Sequence, residues 1–202
     1  MLRCFSLELG GEGGEWLGFD TESTGKIYLG WFVNSSTSIL VGVVSGWVHI
    51  KVDCKGSFQN SPALKEFSKQ MLERGYRHFV VDLQSCPVMD STFMGTLAGI
   101  ALRLREFNNG SLLVRNANER NTDLLRNLGL DNLFDVESKP SDQTGKVIET
   151  TELSEDRTLG RGDQAQCMIE AHEALVDADP GNLARFKDVL EYLKQDLRAG
   201  SK

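Results

Sequence analysis

Three oxygen-bearing side chains, Asp90, Ser91 and Thr92, stand in a row just before a long apolar helix pattern, in "PVMDSTFMGTLAGIALRLREF" from Pro87 to Phe107. Side chains of these types accept hydrogen bonds from the unpaired amides of a helix's first turn, so one reading is a helix cap. The other is a hydroxyl held at a helix N-terminus for a partner to read or modify. The two are compatible. Hydrolase chemistry is not expected, because Ser91 lacks the G-x-S-x-G context and the sequence sets no His or Lys beside it as an activating base. No Gly-rich phosphate loop of the P-loop or dinucleotide type occurs. Cys4, Cys54, Cys86 and Cys167, with His49, His78 and His172, show no metal-ligand spacing. Reduced thiols, no metal and no cofactor are therefore expected.

A hydroxyl of this kind needs a rigid frame, and the flanking pattern predicts one. "SILVGVVSGWVHIKVD" combines a β-branched run, a Ser45-Gly46 turn and an alternating segment, which predicts a β-hairpin. "SPALKEFSKQMLERG" predicts a helix, with Ser61 as its cap, Pro62 at its first position and Gly75 as its end. "HFVVDL" reads as a short buried strand. The helix after Asp90 places Phe93, Leu97, Ile100, Leu104 and Phe107 on one face. Gly95 and Gly99 are expected to let that helix approach the sheet. Met94 falls off the apolar stripe, where an adaptable side chain suits a contact surface. A strand at "LLV", a short helix ending near Gly129 and a strand at "NLFDV" complete the order ββαβαβαβ. Strands separated by helices of this length imply parallel neighbours in one sheet with helices covering it.

Four zones follow: an N-terminal extension (residues 1–36, with the apolar patch "KIYLGWFV"), the α/β domain (37–137), a polar, acidic linker (138–162) and a helical hairpin (163–199). Met168, Ile169, His172 and Leu175 mark the first helix of the hairpin; Leu183, Phe186, Val189, Leu190, Leu193 and Leu197 mark the second. Two helices alone bury too little surface to be stable, so the hairpin is expected to dock on the main domain or on another chain, where it could support a homo-oligomer. The 202 residues are 40% apolar, enough for one core, and carry a net charge of -7. That charge repels nucleic acid and anionic membrane surfaces. No apolar run is long enough to cross a bilayer, and no signal segment opens the chain, so a cytoplasmic protein without membrane insertion is expected.

The element order, with "VMDSTFMG" between a strand and a long helix and with "NGSLLV" and "LLRNLGLDNLFDV" downstream, resembles the STAS domain family of bacterial anti-sigma factor antagonists. The resemblance implies an α/β fold with a mixed β-sheet covered by α-helices. It implies a non-enzymatic binding module whose phosphoacceptor is Ser91, with Asp90 capping and orienting it and Thr92 as a further cap or second acceptor. The implied partners are an anti-sigma factor that is also a serine-protein kinase, which binds the unmodified form, and a PP2C-type phosphatase that resets it. Ser57, Phe58 and Asn60 in the first loop, and Met94, are the expected partner-binding residues. The chain departs from the family pattern at Phe93, where Gly is usual, and in a first loop without the usual Asp and Thr. Two other roles remain open: a STAS scaffold that is never phosphorylated, and a subunit of a lipid-transport ABC complex. A phosphate on Ser91 would lie beside the positive helix end and its free amides, so the fold should tolerate what a partner packed on a neutral hydroxyl would not.

Overall fold

Strands Ile39–Val44 (β1) and Trp47–Val52 (β2) pair antiparallel, Ile39 opposite Val52 and Val44 opposite Trp47. The turn between them needs two left-handed residues, and Ser45 (φ 51°) and Gly46 (φ 83°) supply them, the geometry whose twist suits a two-residue hairpin. These coordinates belong to a computed structural model that describes residues 39–137, 151–153 and 160–200. The expected N-terminal extension and its apolar patch lie outside the described residues, as does most of the expected linker.

After β2 come Ser61–Glu73 (α1), His78–Asp82 (β3), Ser91–Arg105 (α2), Ser111–Arg115 (β4), Glu119–Asn127 (α3) and Asp135–Glu137 (β5). Strands β2, β3, β4 and β5 pair parallel in sequence order. The expected ββαβαβαβ order and the mixed sheet are both present. A two-residue strand, Thr151–Glu152 (β6), pairs antiparallel with β1, so the six-stranded order is β5-β4-β3-β2-β1-β6. It falls inside the segment expected as a linker. Arg161–Ala178 (α4) and Leu183–Gly200 (α5) form the helical hairpin.

The core explains the strand alternation. Val48, Ile50, Phe79, Val81, Leu112 and Val114 point to one side of the sheet and pack in one buried cluster with Leu97, Ile100 and Leu104 of α2. Leu175 of α4, fully buried, belongs to the same cluster. The hairpin thus docks in cis, with α4 lying along α2 and α5 packed on α4. Its turn is fastened as well: the buried Asn182 amide donates to the carbonyls of Leu128 (3.0 Å) and Leu175 (2.9 Å), and Lys65 of α1 pairs with Glu170 of α4.

Several local expectations are corrected. Asn60, not Ser61, is the residue before α1, and Ser61 turns its hydroxyl back to the Ser57 carbonyl (2.8 Å). Phe107 lies beyond the end of α2 and is 37% exposed, with the Arg77 guanidinium over its ring. Gly95 and Gly99 do not serve the approach to the sheet. A Cβ on Gly95 would meet the backbone carbonyl oxygen of Ala171 at 2.2 Å, and one on Gly99 would meet the Ala174 Cβ at 3.7 Å. Gly95 makes room for α4, whereas at Gly99 a Cβ would be in ordinary contact with that helix.

Candidate functional site

Ser91 is the first residue of α2, and the cap ahead of it is Asp90 alone. Asp90 has extended backbone geometry, and its Oδ1 accepts from the amide of Phe93 (2.9 Å). Its Oδ2 accepts from the amide of Phe58 (2.8 Å), so one carboxylate both caps the helix and ties down the first loop. Backbone bonds reinforce that tie: the Gly56 amide donates to Val88 (3.1 Å) and the Asp90 amide to Gly56 (2.9 Å). Gly56 is required there, since a Cβ would meet the Phe93 ring at 2.6 Å. On the other side, Asn118 and Asn121 of the α3 N-terminus donate to the Cys86 carbonyl (3.0 and 2.9 Å). Burial raises the pKa of the Cys86 thiol, which keeps it a neutral packing group. The segment presenting Ser91 is braced from both flanks, as suits a functional residue on a loop held by rigid elements.

With Asp90 serving the cap, the Ser91 hydroxyl is left for another partner, His172 of α4, whose Nε2 lies 3.0 Å away. The His172 Nδ1 is 2.7 Å from the Met168 carbonyl. A carbonyl only accepts, so Nδ1 carries the hydrogen, and in the neutral ring Nε2 accepts from the Ser91 O–H. The imidazole is 4% exposed and packs against Phe186 of α5, with ring centroids 5.0 Å apart. Ser91, Gly95 and Gly99, four residues apart, form one stripe along α2. Each of the three faces a residue of α4: His172, Ala171 and Ala174 respectively.

This arrangement corrects three expected site residues. Met94 is 4% exposed rather than a surface contact, and Thr92, at 3%, is too buried to be a ready second acceptor. Both are covered because α2 is enclosed on two sides, by the sheet-side core and by α4, so that Thr92 through Ala98 are all buried. Asn60 is also buried, at 3%. It braces the first loop from within, accepting from the Ser57 amide (2.9 Å) and donating to the Lys55 carbonyl (2.8 Å). Of the expected contact residues, Ser57 is half-buried and Phe58 is 40% exposed beside Asp90.

Sequence reasoning missed His172 as a site residue. It lies 81 residues from Ser91, and its spacing marks it only as part of an amphipathic helix. Ser91 and His172 have the reach of a nucleophile and its base. The ring, however, is oriented by a backbone carbonyl rather than a carboxylate, and it is buried while Ser91 is half-buried. Two surface hollows, one along α3 between Glu119 and Asn127 and one beside the end of α2 near Arg105 and Phe134, include neither residue. In this geometry His172 holds the Ser91 hydroxyl. Among the described residues no cluster of His, Cys, Asp and Glu could hold a metal ion, and no helix is long and apolar enough to cross a membrane.

A search of curated proteins returns no match. Among solved structures, a crystal structure of TM1081 from Thermotoga maritima, described as a candidate anti-sigma factor antagonist, is similar at 18% identity and a TM-score of 0.46. That similarity covers 49% of this chain and 85% of that one. The NMR structure of TM1081 is similar at 16% identity and a TM-score of 0.44, covering 58% and 89%. The family model for the STAS domain matches residues 40–144, which span the sheet from β1 to β5 and the braced segment before α2, and the chain belongs to the STAS domain family.

Proposed function

We propose that the chain is a phospho-regulated protein-binding module of the anti-sigma factor antagonist kind, not an enzyme. In this reading an anti-sigma factor with serine-kinase activity binds it through the start of α2 and the neighbouring first loop, with Phe58 in the contact, while Ser91 is unmodified. Transfer of the γ-phosphoryl group of ATP to Ser91 ends the interaction, and a PP2C-type phosphatase restores it. All of this would take place in the cytoplasm. One observation carries the reading: the Ser91 hydroxyl sits at a helix N-terminus yet is not used to cap it. Among the described residues it instead meets His172, a side chain from a separate helix. In this reading the sheet keeps its fold on phosphorylation, while the added charge at the start of α2 opposes binding of the partner.

The test is incubation with ATP and an anti-sigma kinase, followed by mass spectrometry of the product. One phosphate is expected on Ser91, and Ser91→Ala should abolish it. Ser91→Asp should weaken kinase binding by about tenfold or more in calorimetry, as an unpaired charge at an interface does. Equal binding by phosphorylated and unphosphorylated chains would refute the switch.

A further inference from the structure

The face of α2 that carries Ser91 is already occupied. Ala171 and Ala174 of α4 lie against Gly95 and Gly99, and the Gly95 contact leaves no room for even a methyl group. Met94, Gly95 and Ala98, which a partner reading Ser91 from this side would touch, are buried. The docking is fastened at three further points: Lys65 with Glu170, Asn182 with Leu128, and Arg185 with the Asn127 carbonyl (2.6 Å).

A phosphate on Ser91 removes the contact on which this arrangement rests. Phosphorylation by an ATP-dependent protein kinase forms the Oγ–P bond, breaks the bond from the γ-phosphorus to ADP and removes the hydroxyl proton. The donor in the Ser91–His172 hydrogen bond then disappears. Three phosphate oxygens must also enter a space where Nε2 stands 3.0 Å from Oγ, next to the Asp90 carboxylate. α4 cannot yield by shifting toward α2, because its backbone is already in contact at Gly95. Moving away relieves the crowding.

We infer that the α4–α5 hairpin is an autoinhibitory cover, docked in cis over the Ser91-bearing face of α2, and that a phosphate on Ser91 expels it. A partner that reads the unmodified hydroxyl must displace the same helix. Its apparent affinity is therefore lowered by the fraction of chains that are closed. The inference deepens the proposed switch and rests on Ser91 being its acceptor, but its test needs neither kinase nor partner.

Phosphoserine is installed at position 91 of the full chain during translation, and amide hydrogen exchange is compared with that of the unmodified chain. Exchange across Arg161–Ala178 is expected to rise by about tenfold or more while β1 to β4 stay protected. Unchanged protection of α4 would overturn the inference. Acceleration throughout the sheet would also overturn it, since the hairpin would then not be a separable cover. A second measurement uses Ser91→Cys with a maleimide reagent and a Cys4→Ser background; Cys54, Cys86 and Cys167 are buried. Labelling at position 91 is expected to be about tenfold slower than in a chain that also carries Ala174→Arg, which should hold the hairpin away. Equal rates would mean that the hairpin covers nothing. Failure of either arm would leave the kinase assay on Ser91 free to stand, and failure of that assay would leave the cover standing.

Discussion

Gly95→Ala separates a docked hairpin from a loose one by the sign of its effect. In an α2 with a solvent-facing stripe, replacing Gly by Ala in a helix interior stabilises by about 1 kcal/mol, which should raise Tm by roughly 2–4 °C for a domain of this size. In the structure the new Cβ would lie 2.2 Å from the Ala171 carbonyl oxygen, whereas ordinary contact begins at 3.4 Å. α4 must then retreat by about 1.2 Å, taking the Ser91–His172 distance from 3.0 Å to about 4 Å, beyond hydrogen-bond reach. Overpacking costs about 1–3 kcal/mol, and leaving a buried acceptor unpaired costs about 1–3 kcal/mol more. After the propensity gain the net loss is about 1–5 kcal/mol, so Tm should fall by about 2 °C or more. Calorimetry gives the sign, and hydrogen exchange across α4 locates the effect. A Gly95→Ala chain with a raised Tm and unchanged α4 protection would refute the close approach of the two helices.

Two further predictions concern the braces around the same helix. Asp90→Ala should cost about 1–3 kcal/mol in urea denaturation, from the lost cap and the lost Phe58 tie. Asp90→Asn should recover part of that, because one amide oxygen can serve only one of the two donors well; an unchanged midpoint for Asp90→Ala would refute the double role. Burial alone would raise the pKa of Glu170, but its hydrogen bonds to Lys65 and Gln166 and the nearby positive charges outweigh that, and it is lowered from 4.5. A carboxylate with a depressed folded-state pKa contributes stability above its unfolded value and loses it as pH falls through the folded one. Protection of α4 should therefore be level from neutral pH to about 5 and weaken only below 4.5, and Lys65→Met should flatten that acid limb. A decline beginning near pH 6 would refute the assignment.

The sheet was legible because each strand carries its own signal. Trp47 to Val52 alternates, His78 to Leu83 is a short buried run, and Ser45-Gly46 is a turn by residue type. The Asp90 cap was legible for the same reason, being a local hydrogen bond. β6 was not, since two residues in a polar, acidic stretch gain their strand geometry only from the edge of β1. Nor was the enclosure of Met94 and Thr92. The α2 pattern shows one apolar stripe and some small residues, and small residues say that something approaches without saying what. Sequence spacing could place His172 on the inner face of an amphipathic helix. Only the closure of a long loop brings it to Ser91.

That long separation also sets a clock. α2 ends at Arg105 and α4 begins at Arg161, so about 55 residues are synthesised between the helix and its cover. At roughly 5–20 residues per second, a nascent chain whose sheet has begun to fold carries an uncovered Ser91 for about 3–11 s, and longer while the hairpin is still held in the ribosome. During that interval the glycine stripe of α2 is at its most exposed, both to other nascent chains and to any enzyme acting on the hydroxyl. Each molecule thus passes once through its open state before its own C-terminal helices first close it.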